Sequence, residues 1–458
     1  MSSDTYAAAL EYLFSSTDYE QMQHVRYNAD TFSLDRMRRL LAGLGSPEKR
    51  FRSVHLAGTK GKGSTAAMVH AMALEAGLRA GLYTSPHLVD IRERIKMGPD
   101  DIAREDLARL IHAARPHIEA LRAAGDPATF FEIFTALAFL HFAAAGADLV
   151  AAEVGLGGRL DATNVLAPDV AVITAVSIDH VEQLGGTLAS IAGEKAGIVK
   201  PGVPCICQPQ PGQAMAVIEE ACRRAGSPLV LVGRDVTYTW LPAAEAGRQA
   251  CPERSRRGGR LTVRTPLRAY DDLFVPLMGE HQALNASAAI AAAERAGPLA
   301  PRLTADLVRR ALAKVVWPGR MELLPAAPDV LLDGAHNRAS LERLMEGLGA
   351  HFPGRRLVFV FAAAADKDID GMLEFLARAA GGADIVLTRS NNPRAADPAD
   401  LAARFARAAG HGGQVAPDVA AALRAARGLA APDALVVVTG SLYLVGEVRL
   451  HFLVSRPS

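Results

Sequence analysis

Cysteine is scarce in this chain. Its 458 residues hold four, Cys205, Cys207, Cys222 and Cys251, and no two form a CxxC pair. A disulfide framework and a thiolate metal finger both need spaced cysteine sets, so both are excluded. Reduced thiols in a cytoplasmic protein are the expectation. Charge of one sign is missing as well: the net charge is +1. Nothing global favours nucleic acid or an anionic membrane, so any anion site must be local. No uninterrupted apolar run is long enough to span a bilayer. The N-terminus, MSSDTYAAALEYLF, has no basic region followed by an apolar core, so it does not read as a signal peptide. What remains is ordinary for a soluble globular protein, with 50% apolar and 22% charged residues. A chain this long is expected to divide into two domains.

The most informative stretch is Arg52 to Ala76. A short apolar run, Val54 to Ala57, reads as a buried strand. Gly58-Thr59-Lys60-Gly61-Lys62-Gly63-Ser64-Thr65 follows, and an alanine-rich helical segment comes next. Strand, glycine-rich turn and helix together wrap backbone N–H groups around a phosphate, and the helix N-terminus adds positive potential. Lys62 would face the terminal phosphates. Ser64 and Thr65 would offer hydroxyls to a phosphate or its magnesium. The common P-loop places its lysine six residues after the first glycine. Here Lys62 follows Gly58 by four, and Gly63 separates it from Ser64.

Further candidates stand at the ends of apolar runs. Residues 4 to 50 read as helical, with Ser33 as a cap. Gly81 to Thr84 is an expected strand broken by Ser85-Pro86, with Arg92 and Arg94 beyond it. Leu149 to Val154 is a buried strand ending in Glu153, whose burial is costly unless a magnesium ion or Arg159 neutralises it. Val170 to Ile178 is an expected strand closed by Asp179-His180. Residues 127 to 145 form an apolar helix entered at Thr129, Phe130, Phe131 and Glu132. Lys195 lies on a helix over 188 to 199. The Arg-rich stretch 243 to 260 is expected to be an exposed insertion between hairpin strands. Asn285, early in a helix over 279 to 295, carries the donor and acceptor needed to read an adenine edge. After a linker over 297 to 320 come four further strands, Val330 to Asp333, Leu357 to Phe361, Ile385 to Thr388 and Leu435 to Thr439. They alternate with helices, which points to a second, smaller α/β sheet with polar residues at its strand ends. The expected architecture is therefore α/β: residues 1–296 form a mostly parallel, P-loop-type sheet domain flanked by helices. Residues 297–458 form a smaller Rossmann-like α/β domain.

Taken in order, GTKGKGS, YTSPHL, the TFFE block, EVGLGGRLDATN, Asp179-His180, EKAGIVKPG, WPGRME, DGAHN, DKDI and TGSLYLVGEVR resemble one family. It is the folylpolyglutamate synthase and dihydrofolate synthase branch of the Mur ligase superfamily. The resemblance covers most of the chain outside residues 201 to 265. It implies that Gly58, Thr59, Gly61, Lys62, Gly63 and Ser64 hold ATP phosphates, and that Asn285, Arg320 and Asp333 complete the ATP site. It implies two magnesium ions bound by Ser85, Glu153 and His180. Lys195 matches a lysine carbamylated by CO2. Thr129 to Glu132 and Leu160, Asp161 and Ala162 match pterin-binding segments. His336 and Ser441 lie where the incoming glutamate is expected. Lys60 stands where many bacterial members carry Asn.

The activity so implied is ADP-forming amide ligation of L-glutamate to dihydropteroate and to reduced folates through an acyl phosphate. Lys62, Lys195 and His336 would act in catalysis. No nucleic-acid or membrane partner is expected, and the chain is read as a monomer. Alternatives are a monofunctional folylpolyglutamate synthase, or a ligase for a UDP-muramyl precursor, against which the TFFE and LDATN blocks argue. A GTPase or kinase-like switch and a non-catalytic nucleotide-binding module are further alternatives. The lysine spacing and second α/β domain oppose the first. The set Glu153, His180, Lys195 and Asp333 opposes the second.

Overall fold

The structure is a computed structural model that describes residues 3–19, 31–178, 181–243 and 258–454. Asp179, His180 and most of the Arg-rich stretch 243 to 260 therefore lie outside the described residues.

The first sheet contains β1 (Arg52–Ala57), β2 (Ala80–Tyr83), β3 (Ile95–Met97), β4 (Asp100–Asp101), β5 (Leu149–Glu153), β6 (Val170–Ile173), β7 (Cys205–Cys207) and β8 (Leu229–Leu231). Their order is β4-β3-β2-β5-β1-β6-β7-β8. From β2 to β8 every pairing is parallel, and β3 and β4 add an antiparallel edge. β1, β2 and β5 are buried almost throughout because helices cover both faces of the sheet. β1 leads to β2 on one side and is flanked by β6 on the other. The chain therefore reverses its winding at β1, where ligands of open α/β sheets bind.

The expected strand over Val170 to Ile178 ends at Ile173. Beyond it the backbone leaves the ladder to meet the glycine turn: the Ala175 carbonyl accepts the N–H groups of Thr59 and Lys60 at 2.9 and 3.2 Å. Ser33 does cap the helix Leu34–Gly43, accepting from the Arg36 N–H.

An antiparallel ribbon follows, β9 (Thr237–Pro242), β10 (Gly259–Arg264) and β11 (Ala269–Val275). Its inner face, with Leu261, Val263, Tyr270 and Leu273, joins the core beneath β1 and the helix Lys62–Glu75. Leu303, Leu307, Val308 and Leu312 enter the same core. The stretch expected to be a linker is thus packed on the first sheet as far as Val315, and Val316 to Arg320 make the connection. The helix Ala305–Leu312 buries one apolar stripe there.

The second sheet holds β12 (Glu322–Leu324), β13 (Asp329–Leu332), β14 (Leu357–Phe361), β15 (Asp384–Leu387), β16 (Gln414–Val415) and β17 (Leu435–Thr439). The order is β12-β13-β17-β14-β15-β16, parallel except at β12. It has apolar cores of its own on both faces. The two units touch at several described places, among them the Gly279 N–H donating to His351 Nε2 at 3.1 Å. Another is Leu88, whose carbonyl lies so close to the helix Leu442–Val454 that a Cβ at Gly446 would sit 2.0 Å from it.

Candidate active site

The glycine turn is held by close approach rather than by apolar packing. Gly58 (φ +152°) has no room for a side chain, since a Cβ would lie 1.9 Å from Thr174 Oγ1. Gly61 caps the helix Lys62–Glu75 in the left-handed region at φ 89°, ψ −9°. A Cβ there would lie 2.4 Å from Asn285 Oδ1, and one on Gly63 would lie 2.6 Å from the ring of Trp317. The first intrahelical bond runs from Thr65 N–H to the Gly61 carbonyl. The amides of Lys62, Gly63 and Ser64 thus precede the helical ladder, at the positive end of the dipole.

Two lysines converge on one carbonyl. Lys62 Nζ donates to Gly58 O at 3.1 Å, and the buried Lys195 donates to the same oxygen at 3.0 Å. Glu153 ends β5 beside them, its Oε1 3.7 Å from Lys62 Nζ. The Ser85 N–H donates to Glu153 Oε2 at 3.3 Å. Burial raises the Glu153 carboxyl above its ordinary range, against the pull of the Lys62 ammonium. Arg159, the sequence-level rival partner of Glu153, pairs instead with Glu194 at 2.8 Å. A small polar cavity opens between Gly58, Lys62, Gly155, Gly157 and Lys195. Among the described residues no three His, Cys, Asp or Glu side chains converge. The buried Glu153 carboxylate is a hard oxygen donor of the kind a magnesium ion takes.

The expected pterin segments fall into two kinds. Thr129 and Glu132 form a capping box at the start of the helix Phe130–Ala144. Glu132 is gripped by Arg36 Nε at 2.8 Å, and Arg36 also reaches Asp126 at 2.9 Å. Phe130 is packed between Phe14 and Phe134, beneath the Arg94 guanidinium. These three residues build the wall. Phe131 is half-buried, and its ring lies where a Cβ on Gly155 would be, at 2.4 Å. It stands beside the glycine-rich loop after β5. Asp161 closes that loop, accepting from Leu156 N–H at 2.9 Å and Thr163 N–H at 3.0 Å. Burial raises its carboxyl, and the Thr163 hydrogen bond opposes the rise. Leu160 and Ala162 flank it.

The second unit presents Asp333 at the end of β13. Its carboxylate accepts from Met321 and Ala335 N–H, each at 2.9 Å. Burial raises its carboxyl, and the field of Arg320 works against that. His336 Nδ1 faces the Gly334 carbonyl at 2.8 Å. Ser441 is buried just ahead of the helix Leu442–Val454, its Oγ accepting from Tyr443 N–H at 3.2 Å. Asn285, behind the glycine turn, is engaged at both ends: it accepts from Gln208 and donates to Gln282, each at 2.9 Å. That arrangement supports Gly61 from below.

The Mur ligase middle domain matches residues 56–293, and the Mur ligase glutamate ligase domain matches residues 319–442. The chain belongs to the Mur ligase family. Within it, the chain belongs to the dihydrofolate synthase/folylpolyglutamate synthase group. It is 36% identical over 420 residues to the dihydrofolate synthase/folylpolyglutamate synthase of Bacillus subtilis, covering 91% of this chain and 94% of that one. Among solved structures, Mycobacterium tuberculosis folylpolyglutamate synthase complexed with ADP and AMPPCP superposes with a TM-score of 0.87. It is 33% identical and covers 99% of both chains. E. coli FolC in complex with DHPP and ADP gives 0.82 at 28% identity, covering 99% of this chain and 98% of that one.

Several residues that shape this Mur ligase site carry little sequence signal. Arg36 meets Glu132 across 96 positions, and Gln208 meets Asn285 across 77. Trp317 lies over Gly63 from the connection between the units. Lys60 reaches out of the glycine turn to Asn337 Oδ1 at 2.8 Å and Ser340 Oγ at 2.6 Å, on the second unit.

Proposed function

We propose that this Mur ligase joins L-glutamate to dihydropteroate and to the glutamate tail of reduced folates, consuming ATP and forming ADP. The observation that supports this most is the meeting of Lys62, Lys195 and Glu153 around Gly58, opposite the Asp333–Asn337 segment. A carboxylate oxygen of the pterin substrate attacks the γ-phosphorus of ATP and ADP leaves. The amine of glutamate then attacks the acyl carbon of the acyl phosphate, and phosphate leaves as the amide forms.

Lys62 and the amides from Lys62 to Ser64 spread positive potential over the transferring phosphoryl group. Gly58, Gly61 and Gly63 let the backbone come close, and Thr59 fixes the turn through its hydroxyl bond to the Ser177 carbonyl. Arg320, Asp333 and the Asn285 support complete the nucleotide site. Phe131, backed by Thr129, Phe130 and Glu132, offers a ring to the pterin beside Leu160, Asp161 and Ala162. Glu153, Ser85 and His180 would hold magnesium, whose charge offsets that of the phosphates. His336 takes a proton from the glutamate ammonium: the Gly334 carbonyl keeps the ring proton on Nδ1, so Nε2 is the basic nitrogen. Ser441 lies by the same crevice. Lys195 is buried on the Gly58 carbonyl, and as a carbamate it would keep an N–H for that bond while gaining a carboxylate.

No helix among the described residues is long and apolar enough to cross a membrane. The free thiols of Cys205, Cys207 and Cys222 support a cytoplasmic setting. The working unit is taken as a monomer, because both halves of the site come from one chain. The test is ADP formation with dihydropteroate and with tetrahydrofolate, each with and without glutamate. Glutamate-dependent ADP release with either supports the reading; ADP release indifferent to amino acid and pterin overturns it.

A further inference from the structure

The Lys60 side chain ties the two units together. Its ammonium donates to Asn337 Oδ1 and Ser340 Oγ at 2.8 and 2.6 Å. Asn337 is the N-cap of the helix Arg338–His351, and its Oδ1 also accepts the Ser340 N–H at 3.0 Å. A cation at a helix N-terminus is electrostatically disfavoured, because the dipole there is already positive. The contact therefore exists through its two oxygen acceptors, and it adds nothing to the helix itself. What it joins is specific. At one end Lys60 lies between Thr59 and Gly61, and its backbone N–H is anchored to the Ala175 carbonyl. At the other, Asn337 directly follows His336 and closes the segment that begins at Asp333.

We propose that Lys60 is a positioning residue of the ligation step, holding the Asp333–Asn337 segment in register with the glycine turn. The proposal rests on the ligase reading. In that reaction the acyl phosphate forms at the turn and is aminolysed by an amine held on the second unit. Once the bond to ADP has broken, the acyl carbon is open to two nucleophiles. Attack by the glutamate nitrogen gives amide and phosphate. Attack by water returns the free carboxylic acid and phosphate, with ATP consumed for nothing. Register between the units sets the ratio of the two, since effective concentration depends steeply on alignment. Lys60 does not touch the reacting atoms; it sets where His336 stands relative to them.

The experiment compares wild type with Lys60→Met, Lys60→Arg and Ser340→Ala, using ADP released per amide formed as the readout. Lys60→Met is expected to raise that ratio from near one to about ten, the effect of losing the charge-assisted hydrogen bonds to Asn337 and Ser340. AMPPCP affinity, measured by calorimetry without pterin, stays within about twofold, because no phosphate ligand is lost. Ser340→Ala, on the opposite unit, raises the ratio in the same direction. Lys60→Arg restores it in part, and Lys60→Met with Ser340→Ala together is no worse than Lys60→Met alone. An unchanged ratio in both Lys60→Met and Ser340→Ala overturns the proposal. So does a loss of AMPPCP affinity of about tenfold or more in Lys60→Met, which would make Lys60 a nucleotide ligand. If wild type itself makes no amide, the ligase reading has failed rather than this one.

Discussion

Replacing Gly61 with alanine tests how the glycine turn is held. Two costs can be worked from the structure. The backbone at φ 89°, ψ −9° is disfavoured for an L side chain by about 1–2 kcal/mol. The new Cβ would also lie 2.4 Å from Asn285 Oδ1. Asn285 cannot swing away freely, because Gln208 and Gln282 hold it by buried hydrogen bonds at 2.9 Å each. Breaking both costs about 2 kcal/mol in all. Gly61→Ala is thus expected to destabilise the apo protein by about 3 kcal/mol. Nucleotide affinity should fall on the order of a hundredfold if the turn moves instead. The assay is a double-mutant cycle with Asn285→Ala, read by urea unfolding and by AMPPCP calorimetry in magnesium. Asn285→Ala removes the obstructing oxygen, so only the backbone cost survives in the double variant, and a coupling of about 2 kcal/mol, the hydrogen-bond part, is expected. Strict additivity, or Gly61→Ala with both wild-type stability and wild-type AMPPCP affinity, refutes the reasoning.

Glu153→Gln should lower ligase activity by about a hundredfold or more, by loss of a carboxylate that would hold magnesium beside the phosphoryl group. The melting temperature of the apo protein should rise, because the ionised carboxylate is held against its burial. Intact-mass analysis of gently handled protein should show one added CO2, lost in Lys195→Ala; a bare Lys195 in active enzyme removes the carbamate. Acid should destabilise the fold before its carboxylates titrate. Burial lowers His55 to about 3 and His70, His281 and His351 to about 4. These groups stay neutral in the folded chain while the unfolded chain takes up protons near pH 6.5. Their stabilisation is complete above about pH 6.5 and is lost as pH falls toward 4, by up to about 1.4 kcal/mol per pH unit for each. Urea unfolding from pH 7.5 to 4.5 measures it, and His55→Gln should flatten the slope; an unaltered slope refutes the assignment.

Strands buried on both faces are legible where they are nearly unbroken apolar runs, as in β5, β14 and β17. The glycine turn was legible because its chemistry is local. The edge strands β3, β4 and β12 are not legible because each is only two or three residues long, too short to show a pattern. The end of β6 was misplaced because Val176 and Ile178 prolong its apolar run, while the break at Thr174 is imposed by a turn more than a hundred positions earlier. The prolines after Gly297 read as a linker, yet Leu307, Val308 and Leu312 find their partners on the first sheet. Arg36 with Glu132, Gln208 with Asn285 and Lys60 with Asn337 share one property: each pair is distant in sequence, so neither partner announces the other.

The chain has two tryptophans, Trp240 on β9 of the antiparallel ribbon and Trp317 against Gly63. That distribution gives the molecule an optical gauge of its own. An indole resting on Gly63 changes its surroundings if that turn takes up phosphate as proposed, or when the neighbouring unit shifts. Trp240, set apart on β9, supplies a steady background. Emission titrated with AMPPCP in a Trp240→Phe variant would follow loading of the turn without any attached dye.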